Sequence, residues 1–457
     1  MGLNAHIFRE YDIRGIVGRD LNADAAAQIG RAYASELRAR CGGRTDLTVA
    51  IGHDNRPSSP DLAAGVIRGV RAAGVNVITY GTVPTPVLYY AAALHETDGG
   101  MQITGSHNPP EYNGFKMTIG GRSFYGVSIQ ALRERIEAQR FESGSGGVEE
   151  RDVTATYIED ISSRFHLPRP LKVVVDCGNG TGSVVAVDLL RRIGADVIPL
   201  YCDSDGTFPN HHPDPTVDEY IADMIAAVRA EKADLGVAFD GDADRIGAVD
   251  EAGTIIRGDI LLLLFALDAM ERLGPPQTLV FDVKCSQAVP EVYEARGGTA
   301  IMWKTGHSLI KEKMKEVDAP IAGELSGHIC FGEDYYGFDD ALYGACALVQ
   351  LAARSAGPLS ASVADFPKYV STPEIRIDVS EETKFEIIRR AVEDFSREHE
   401  VIAVDGARVL FDGGWGLLRA SNTQPVLVMR VEARTEQRLQ EIRSTMEQWL
   451  SGQGVVL

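Results

Sequence analysis

A chain of 457 residues with 44% hydrophobic and 24% charged side chains holds enough apolar material for about three or four folded domains. Its formal net charge of -20 excludes nucleic acid and an anionic membrane surface as main partners, because both are polyanions. An anionic ligand must therefore be met locally, by arginine, lysine, backbone amides or a metal ion.

The first strong strand is at 47–54 (LTVAIGHD), and Tyr11 and Arg14 lie before it in a Tyr-Asp-Ile-Arg-Gly segment. A helix over 60–73 and a second strand over 75–80 follow, and an apolar strand at 100–103 runs into Thr-Gly-Ser-His-Asn-Pro-Pro, 104–110. Lys116 comes one short loop later, and Glu142–Val148 (ESGSGGV) is a Gly/Ser-rich break. The order then repeats: strand 171–178, helix 181–193, strand 196–201, strand 235–239, and the polar loop Asp-Gly-Asp-Ala-Asp-Arg at 240–245. Between them, His211 and His212 sit in a Pro-rich loop that reads as a rigid turn held by imidazole hydrogen bonds. After a turn at 253–258, the apolar run Ile260–Leu267 reads as a buried helix, too short to span a bilayer. A third round gives strand 278–284, helix 286–295, strand 299–303 leading to His307, strand 319–322, and the loop Gly-Glu-Leu-Ser-Gly-His at 323–328. Beyond 357–367 the pattern changes to strand 374–379, helix 381–398, strands near 409–411, 415–420 and 425–433, and helix 436–450.

Strands alternating with helices predict parallel sheets. The expected fold is α/β: three topologically related mixed α/β domains, 1–148, 149–254 and 255–366, plus a smaller C-terminal α+β domain, 367–457. Ligands of open α/β sheets gather at the carboxyl ends of strands. The three strand-end loops therefore read as three walls of one site.

Each loop has its own chemistry. Ser106, between a glycine and a histidine and followed by two prolines, is displayed as a nucleophile or phosphoryl carrier; an ordinary capping turn is the competing reading. Asp240, Asp242 and Asp244 alternate with small residues. Three such carboxylates repel unless a divalent cation lies between them, and hard oxygen ligands suit Mg²⁺. An EF-hand loop is excluded because its sixth place would be Arg245 instead of glycine. An aspartyl-phosphate enzyme using Asp240 stays open, and would leave Ser106 without a task. Glu324, Ser326 and His328 offer an acceptor, a hydroxyl and a titratable ring, a set suited to sugar hydroxyls. In the tail, Arg419, Ser421, Asn422 and Thr423 can surround a phosphate.

The six cysteines (Cys41, Cys177, Cys202, Cys285, Cys330, Cys346) form no C-x-x-C pair and are expected as buried free thiols. The N-terminus has neither an apolar signal core nor a myristoylation pattern, His6 standing where that pattern needs Ser or Thr, so a soluble cytoplasmic protein is expected.

Taken in order, Tyr-Asp-Ile-Arg-Gly, Thr-Gly-Ser-His-Asn-Pro-Pro, the Asp-x-Asp-x-Asp-Arg loop, Lys-Thr-Gly-His-Ser, Gly-Glu-Leu-Ser-Gly-His and Arg-Ala-Ser-Asn-Thr resemble the α-D-phosphohexomutase family, and within it the bacterial phosphomannomutase/phosphoglucomutase group. The resemblance covers essentially the whole chain. It implies four domains around a central cleft, with Ser106 carried as phosphoserine and Mg²⁺ bound by Asp240, Asp242, Asp244 and a phosphoserine oxygen. It further implies Lys116, Arg14, His107, His307, His328 and Arg245 at the transfer site, with Tyr11 and Lys284 facing the substrate. Glu324 and Ser326 would contact sugar hydroxyls, and Arg419, Ser421, Asn422 and Thr423 would clamp the phosphate that is not transferred. Two departures stand out. Ala243 replaces the family's usual glycine, and Leu325 with the Ala-Ser-Asn-Thr loop points away from glucosamine phosphate.

The implied reaction moves a phosphoryl group reversibly between O1 and O6 of a mannose or glucose phosphate through a hexose 1,6-bisphosphate, which also serves as activator. His328 and Lys116 are the candidates for taking the hydroxyl proton, and a hinge is expected near 366–370. A phosphoglucosamine mutase, a metal-dependent sugar phosphatase using Asp240, and a noncatalytic sugar-phosphate binder are the alternatives. The expected partner is a small hexose phosphate, with no nucleic acid or membrane, in a monomer or small homo-oligomer.

Overall fold

A computed structural model describes residues 3–333, 335–421 and 424–456. The chain forms two compact units, one of Met1–Leu261 with Ser326–Val363, the other of Leu262–Leu325 with Ala364–Leu457.

The first unit holds two mixed sheets. In the first sheet the buried strand Thr48–His53 lies parallel to Asn76–Thr82 on one side and to Gly99–Ile103 on the other. Tyr112–Ile119 returns antiparallel beside Gly99–Ile103, and Ile13–Ile16 pairs antiparallel with its outer edge. The second sheet repeats this plan. Lys172–Asp176 lies between parallel Asp196–Leu200 and Leu235–Phe239, and Ile246–Asp250 returns antiparallel. β-Branched side chains dominate the central strands because both sheet faces are covered. Helices Ala23–Arg40 and Ser59–Ala72 pack against each other over the first sheet through Ala26, Ile29, Leu62 and Val66. Each fully buried Ile, Leu or Val there contributes roughly 1.5–3 kcal/mol.

In the second unit, Thr278–Asp282 is flanked by parallel Thr299–Trp303 and Ile321–Gly323, the same arrangement a third time. The tail is an antiparallel sheet in which Val426–Ala433 pairs with Gly414–Ala420 and Ile375–Asp378, while Ala407–Phe411 joins Gly414–Ala420 to Glu400–Ile402. Helices Lys384–Phe395 and Glu436–Gly452 supply Ala391, Phe395, Leu439, Ile442 and Met446 to its core. Three α/β layers and a distinct α+β tail are thus present, as the sequence pattern predicts.

Several local expectations change. The helix expected over 181–193 is a short 3₁₀ turn, Thr181–Val184, followed by Ala186–Arg192. The Gly/Ser-rich stretch after Glu142 is no free linker. Arg31 donates to the Glu142 carbonyl at 3.0 Å, and Val148–Glu150 adds a parallel edge strand to Asn76–Thr82. The expectation of a hinge near 366–370 meets a packed junction. Arg408 of the tail donates to the carbonyls of Val283 at 2.6 Å and Cys285 at 2.8 Å, Trp415 packs on Val283, and the division between units falls at 363/364. The loop 323–328, read as one wall, is also where the chain passes from the second unit (Leu325) to the first (Ser326). Among the described residues no helix is long and apolar enough to cross a membrane.

Candidate active site

The buried strand Gly99–Ile103 delivers Ser106 in a left-handed conformation, φ +48°. A non-glycine residue there needs surrounding support. Thr104 Oγ1 accepts from Ser106 N at 2.8 Å, and Asp54 Oδ2 accepts from Gly105 N at 2.8 Å. Arg56 is the centre of this support. Its guanidinium donates to the carbonyls of Ser106 at 2.7 Å, Asn108 at 2.6 Å and Tyr112 at 3.2 Å, to that of Pro109, and to Asp54 at 3.1 Å. Gly105 is required by this closeness, since a Cβ there would lie 2.2 Å from the Arg56 guanidinium. The sequence analysis missed Arg56 and Asp54. Arg14 donates to the Thr104 carbonyl at 2.5 Å and pairs with Asp12.

The seryl hydroxyl donates to Asp240 Oδ2 at 2.9 Å, and His107 Nδ1 lies 3.2 Å from it. Burial, together with the facing charges of Arg245 and Arg14, lowers the His107 ring well below its usual range, so it is neutral.

The carboxylate loop follows the buried strand Leu235–Phe239 and turns tightly. Asp240 Oδ1 accepts from the backbone of Asp244 at 3.1 Å and Arg245 at 3.2 Å, and Ala243 sits at φ +57°. Ala243 therefore adopts, with a buried methyl, the backbone that glycine takes without strain. Asp240, Asp242 and Asp244 are fully buried, with facing oxygens within 4.8 Å of one another. Lys116 donates to Asp242 Oδ2 at 2.7 Å and also to Asp244. Thr85, which the sequence analysis did not single out, donates to Asp242 Oδ2 at 2.5 Å.

One ammonium does not match three carboxylates. Burial and the neighbouring Asp242 and Asp244 charges push the Asp240 carboxyl well above its usual range. Burial also opposes ionisation of Asp242, but the Lys116 ammonium and the hydrogen bonds of Lys116 and Thr85 overcome it and hold that carboxyl below its usual range. Lys116 answers in kind: burial opposes its charge, yet Asp242 and Asp244 raise it well above an ordinary lysine. Oδ1 of Asp242 and Oδ1 of Asp244 are buried and accept no hydrogen bond. Such oxygens are costly unless a cation meets them, so the residues present fit a divalent metal.

Arg245 Nε donates to His328 Nε2 at 2.9 Å. The Nδ1 of His328 lies 3.0 Å from Asp339 Oδ2 and 3.6 Å from Asp244 Oδ1. With Nε2 acting as acceptor, the ring proton of the neutral form belongs on Nδ1, whose acidic neighbours are Asp339 and Asp244. Asp339 was not foreseen, because an Asp-Asp pair before a helix reads as a cap. Ser326 lies two residues before His328, and Tyr11 one before Asp12, both half-buried.

The second unit gathers the other expected contacts. Glu324 Oε1 accepts from Gly306 N at 2.6 Å, one residue before His307. Lys284 donates to Glu374 at 2.8 Å, and this ammonium pushes the Glu374 carboxyl down to about 2. Arg419 donates to Asp405 Oδ2 at 3.1 Å, which also accepts from Thr305 N at 3.1 Å. Buried Lys384 donates to the Ser421 carbonyl at 2.6 Å and to the Gln424 carbonyl at 3.2 Å. Asn422 and Thr423 lie outside the described residues.

A presented serine against a buried carboxylate triad, ringed by arginine, lysine and histidine, is a constellation for metal-assisted phosphoryl transfer. The comparisons agree. Residues 5–143, 155–253, 257–369 and 374–448 match, in turn, the families described as phosphoglucomutase/phosphomannomutase alpha/beta/alpha domains I, II and III and the phosphoglucomutase/phosphomannomutase C-terminal domain. The chain is 49% identical over 449 residues to a phosphomannomutase/phosphoglucomutase of Pseudomonas aeruginosa, covering 98% of this chain and 96% of that one. It is 44% identical over 443 residues to a phosphoglucomutase of Neisseria meningitidis, covering 96% and 95%. A solved phosphoglucomutase/phosphomannomutase family protein from Burkholderia thailandensis is similar with a TM-score of 0.92 and 44% identity, over 98% of each chain. This chain belongs to the phosphoglucomutase/phosphomannomutase family.

Proposed function

We propose that the protein is a phosphomannomutase/phosphoglucomutase, an isomerase that moves a phosphoryl group reversibly between O1 and O6 of mannose or glucose phosphate. The observation that carries this reading is Ser106, held at φ +48° with its hydroxyl on Asp240 and beside neutral His107. Ser106 carries the phosphoryl group in the resting enzyme, gives it to the free hydroxyl of a bound hexose monophosphate, and takes the other phosphoryl from the resulting 1,6-bisphosphate. Asp240, Asp242 and Asp244, with the Ser106 oxygen, would hold Mg²⁺, which supplies positive charge against the phosphoryl oxygens when bound.

The chain's own residues do the rest. Lys116 already gives two of its hydrogens to carboxylates and has no lone pair, so it serves as fixed positive charge. Arg14 and Arg245 add charge where it develops. His328 takes the attacking hydroxyl's proton at Nε2 once Arg245 turns to the phosphoryl group, and the Asp339 carboxylate, 3.0 Å from Nδ1, favours the imidazolium that results. Glu324 and Ser326 are assigned to the sugar hydroxyls, and Lys284 to the substrate. Tyr11 and His307 are assigned to the substrate, and Arg419 and Ser421, with Asn422 and Thr423, to the phosphate that stays.

Intact-protein mass spectrometry tests the reading. A species one phosphate heavier, mapped to Ser106 and lost in Ser106→Ala, is expected. Turnover of glucose 1-phosphate and mannose 1-phosphate, activated by glucose 1,6-bisphosphate, is expected to exceed that of glucosamine 1-phosphate. Release of inorganic phosphate with Ser106 never modified would favour a phosphatase using Asp240 and overturn the proposal.

A further inference from the structure

Cys177 and Cys202 play no part in the chemistry above, yet they are placed with care. Cys177 directly follows the strand Lys172–Asp176, and Cys202 follows its parallel neighbour Asp196–Leu200, one residue further on. The register pairs Asp176 with Leu200, and Cys177 N donates to the Leu200 carbonyl at 3.1 Å, so the two cysteines leave the sheet side by side. Their sulfurs are 3.2 Å apart, although both thiols are free. Cys177 is fully buried, and Cys202 is partly open to solvent.

The segment after Cys177 leads to the carboxylate loop. Asn179, at φ +58°, donates its backbone N–H to the Tyr201 carbonyl at 2.8 Å, and its own carbonyl accepts from Asn55 at 2.7 Å. Gly180 lies flat on Gly241, so that a Cβ on Gly180 would stand 2.8 Å from the Gly241 oxygen. Thr181 donates to that oxygen twice, from its backbone at 2.9 Å and from its hydroxyl at 2.8 Å. Gly241 stands between Asp240 and Asp242. A change in the path of the chain at Cys177 therefore reaches the metal-binding loop through four residues and two hydrogen bonds.

We propose that Cys177 and Cys202 form a reversible disulfide on exposure to a peroxide, and that this bond displaces the carboxylate loop through Thr181 and Gly241. Cys202 reacts first, being the exposed partner, and its hydrogen bond with Cys177 favours its thiolate while holding the proton on Cys177. The Cys202 thiolate attacks hydrogen peroxide, breaking the O–O bond; the displaced hydroxide is protonated and leaves as water, and Cys202 becomes a sulfenic acid. The Cys177 sulfur then attacks the sulfenic sulfur. The S–S bond forms, the S–O bond breaks, and a second water carries away the hydroxyl and the Cys177 proton. Overall two thiols give two electrons and two protons to one peroxide, yielding a disulfide and two waters.

The experiment treats the reduced, full-length protein with a small excess of hydrogen peroxide, blocks residual thiols, and maps peptides without reduction. A peptide joining Cys177 to Cys202, cleaved by dithiothreitol and missing in Cys202→Ser, is expected. Cys202 oxidised to sulfinic acid without a link, or linked to a different cysteine, overturns the proposal. The mapping is independent of the proposed mutase activity, whereas the second readout rests on it. Turnover of glucose 1-phosphate is expected to fall roughly 5-fold or more on oxidation, to recover with dithiothreitol, and to stay unchanged by peroxide in Cys202→Ser. A disulfide that forms while turnover stays constant overturns the coupling to the loop.

Discussion

Ser106 Oγ donates its hydrogen bond to Asp240 Oδ2 at 2.9 Å, joining two residues that are 134 positions apart in the chain. The contact binds a strand-end loop of the first sheet to a strand-end loop of the second. The proposed nucleophile and the carboxylates proposed to hold the metal are thereby assembled within one compact unit.

Metal removal is expected to show in stability. Two buried carboxylate oxygens accept no hydrogen bond, so Mg²⁺ at 100 times its Kd should add about 2.7 kcal/mol. In Asp240→Asn one like charge is gone. Its melting temperature in chelator should match or exceed that of the parent, while the rise on adding Mg²⁺ shrinks and kcat falls on the order of 10²–10³-fold. Differential scanning calorimetry with and without chelator, paired with a coupled mutase assay, checks both.

Arg56→Lys is expected to damage the seryl loop despite keeping the charge. Lysine cannot reproduce a planar fork that reaches four carbonyls and Asp54. A loss of roughly 1–3 kcal/mol in stability is expected, the cost of leaving a buried carbonyl without its donor. The fraction of protein carrying phosphate at position 106 should fall with it, by quantitative mass spectrometry. Stability within error of the parent would count against the clamp.

Asp339→Asn separates positioning from binding. Its Oδ2 faces His328 Nδ1 at 3.0 Å and makes no substrate contact in the proposed mechanism. The expected outcome is a kcat lower by about 10–100-fold, with KM and melting temperature near those of the parent. Steady-state kinetics on glucose 1-phosphate decide it, and a raised KM with unchanged kcat would refute the assignment.

Asp340 gives a pH dependence away from the metal loop. Burial pushes its carboxyl up to about 6, although Tyr335 and Tyr157 donate to Oδ2 at 2.5 and 2.8 Å and Tyr343 N donates to Oδ1. The Tyr157 and Tyr335 hydroxyls and the Cys346 thiol are pushed well up by burial and face it uncharged. The folded state therefore binds this proton more tightly than the unfolded chain does. The associated stability is full below about pH 4, the unfolded value, and is lost as pH rises through about 6. Asp340→Asn lacks the titration, so its melting temperature relative to the parent should climb between pH 4 and 6 and level off above. Thermal melts at pH 4, 5, 6 and 7 check the sign.

Strand-end loops were legible because each follows a short apolar run that can only be a buried strand; Leu235–Phe239 and Thr299–Trp303 coincide with their expected limits. Asp240, Asp242 and Asp244 were legible because their repulsion is local in sequence. Arg56, Thr85 and Asp339 were not, because their partners are brought to them by folding. Arg56 serves carbonyls some 50–56 residues away, and Thr85 serves Asp242 across 157. Lys384 carries no signal in the sequence either; it is 1% exposed and bonds the Ser421 carbonyl. The 3₁₀ turn at Thr181–Val184 escaped periodicity because the tertiary contact with Gly241 fixes it.

The Arg56 fork bonds backbone oxygens of the seryl loop and none of its side chains. It is therefore indifferent to which residues stand at 107, 108 and 111, provided Gly105 stays bare. Substitution can retune the chemistry around the serine while the frame that presents it is inherited unchanged. In the proposed mechanism the phosphoryl group sits on Ser106 Oγ, an atom outside the Arg56 bonds, so the serine would be loaded and unloaded without breaking any of them.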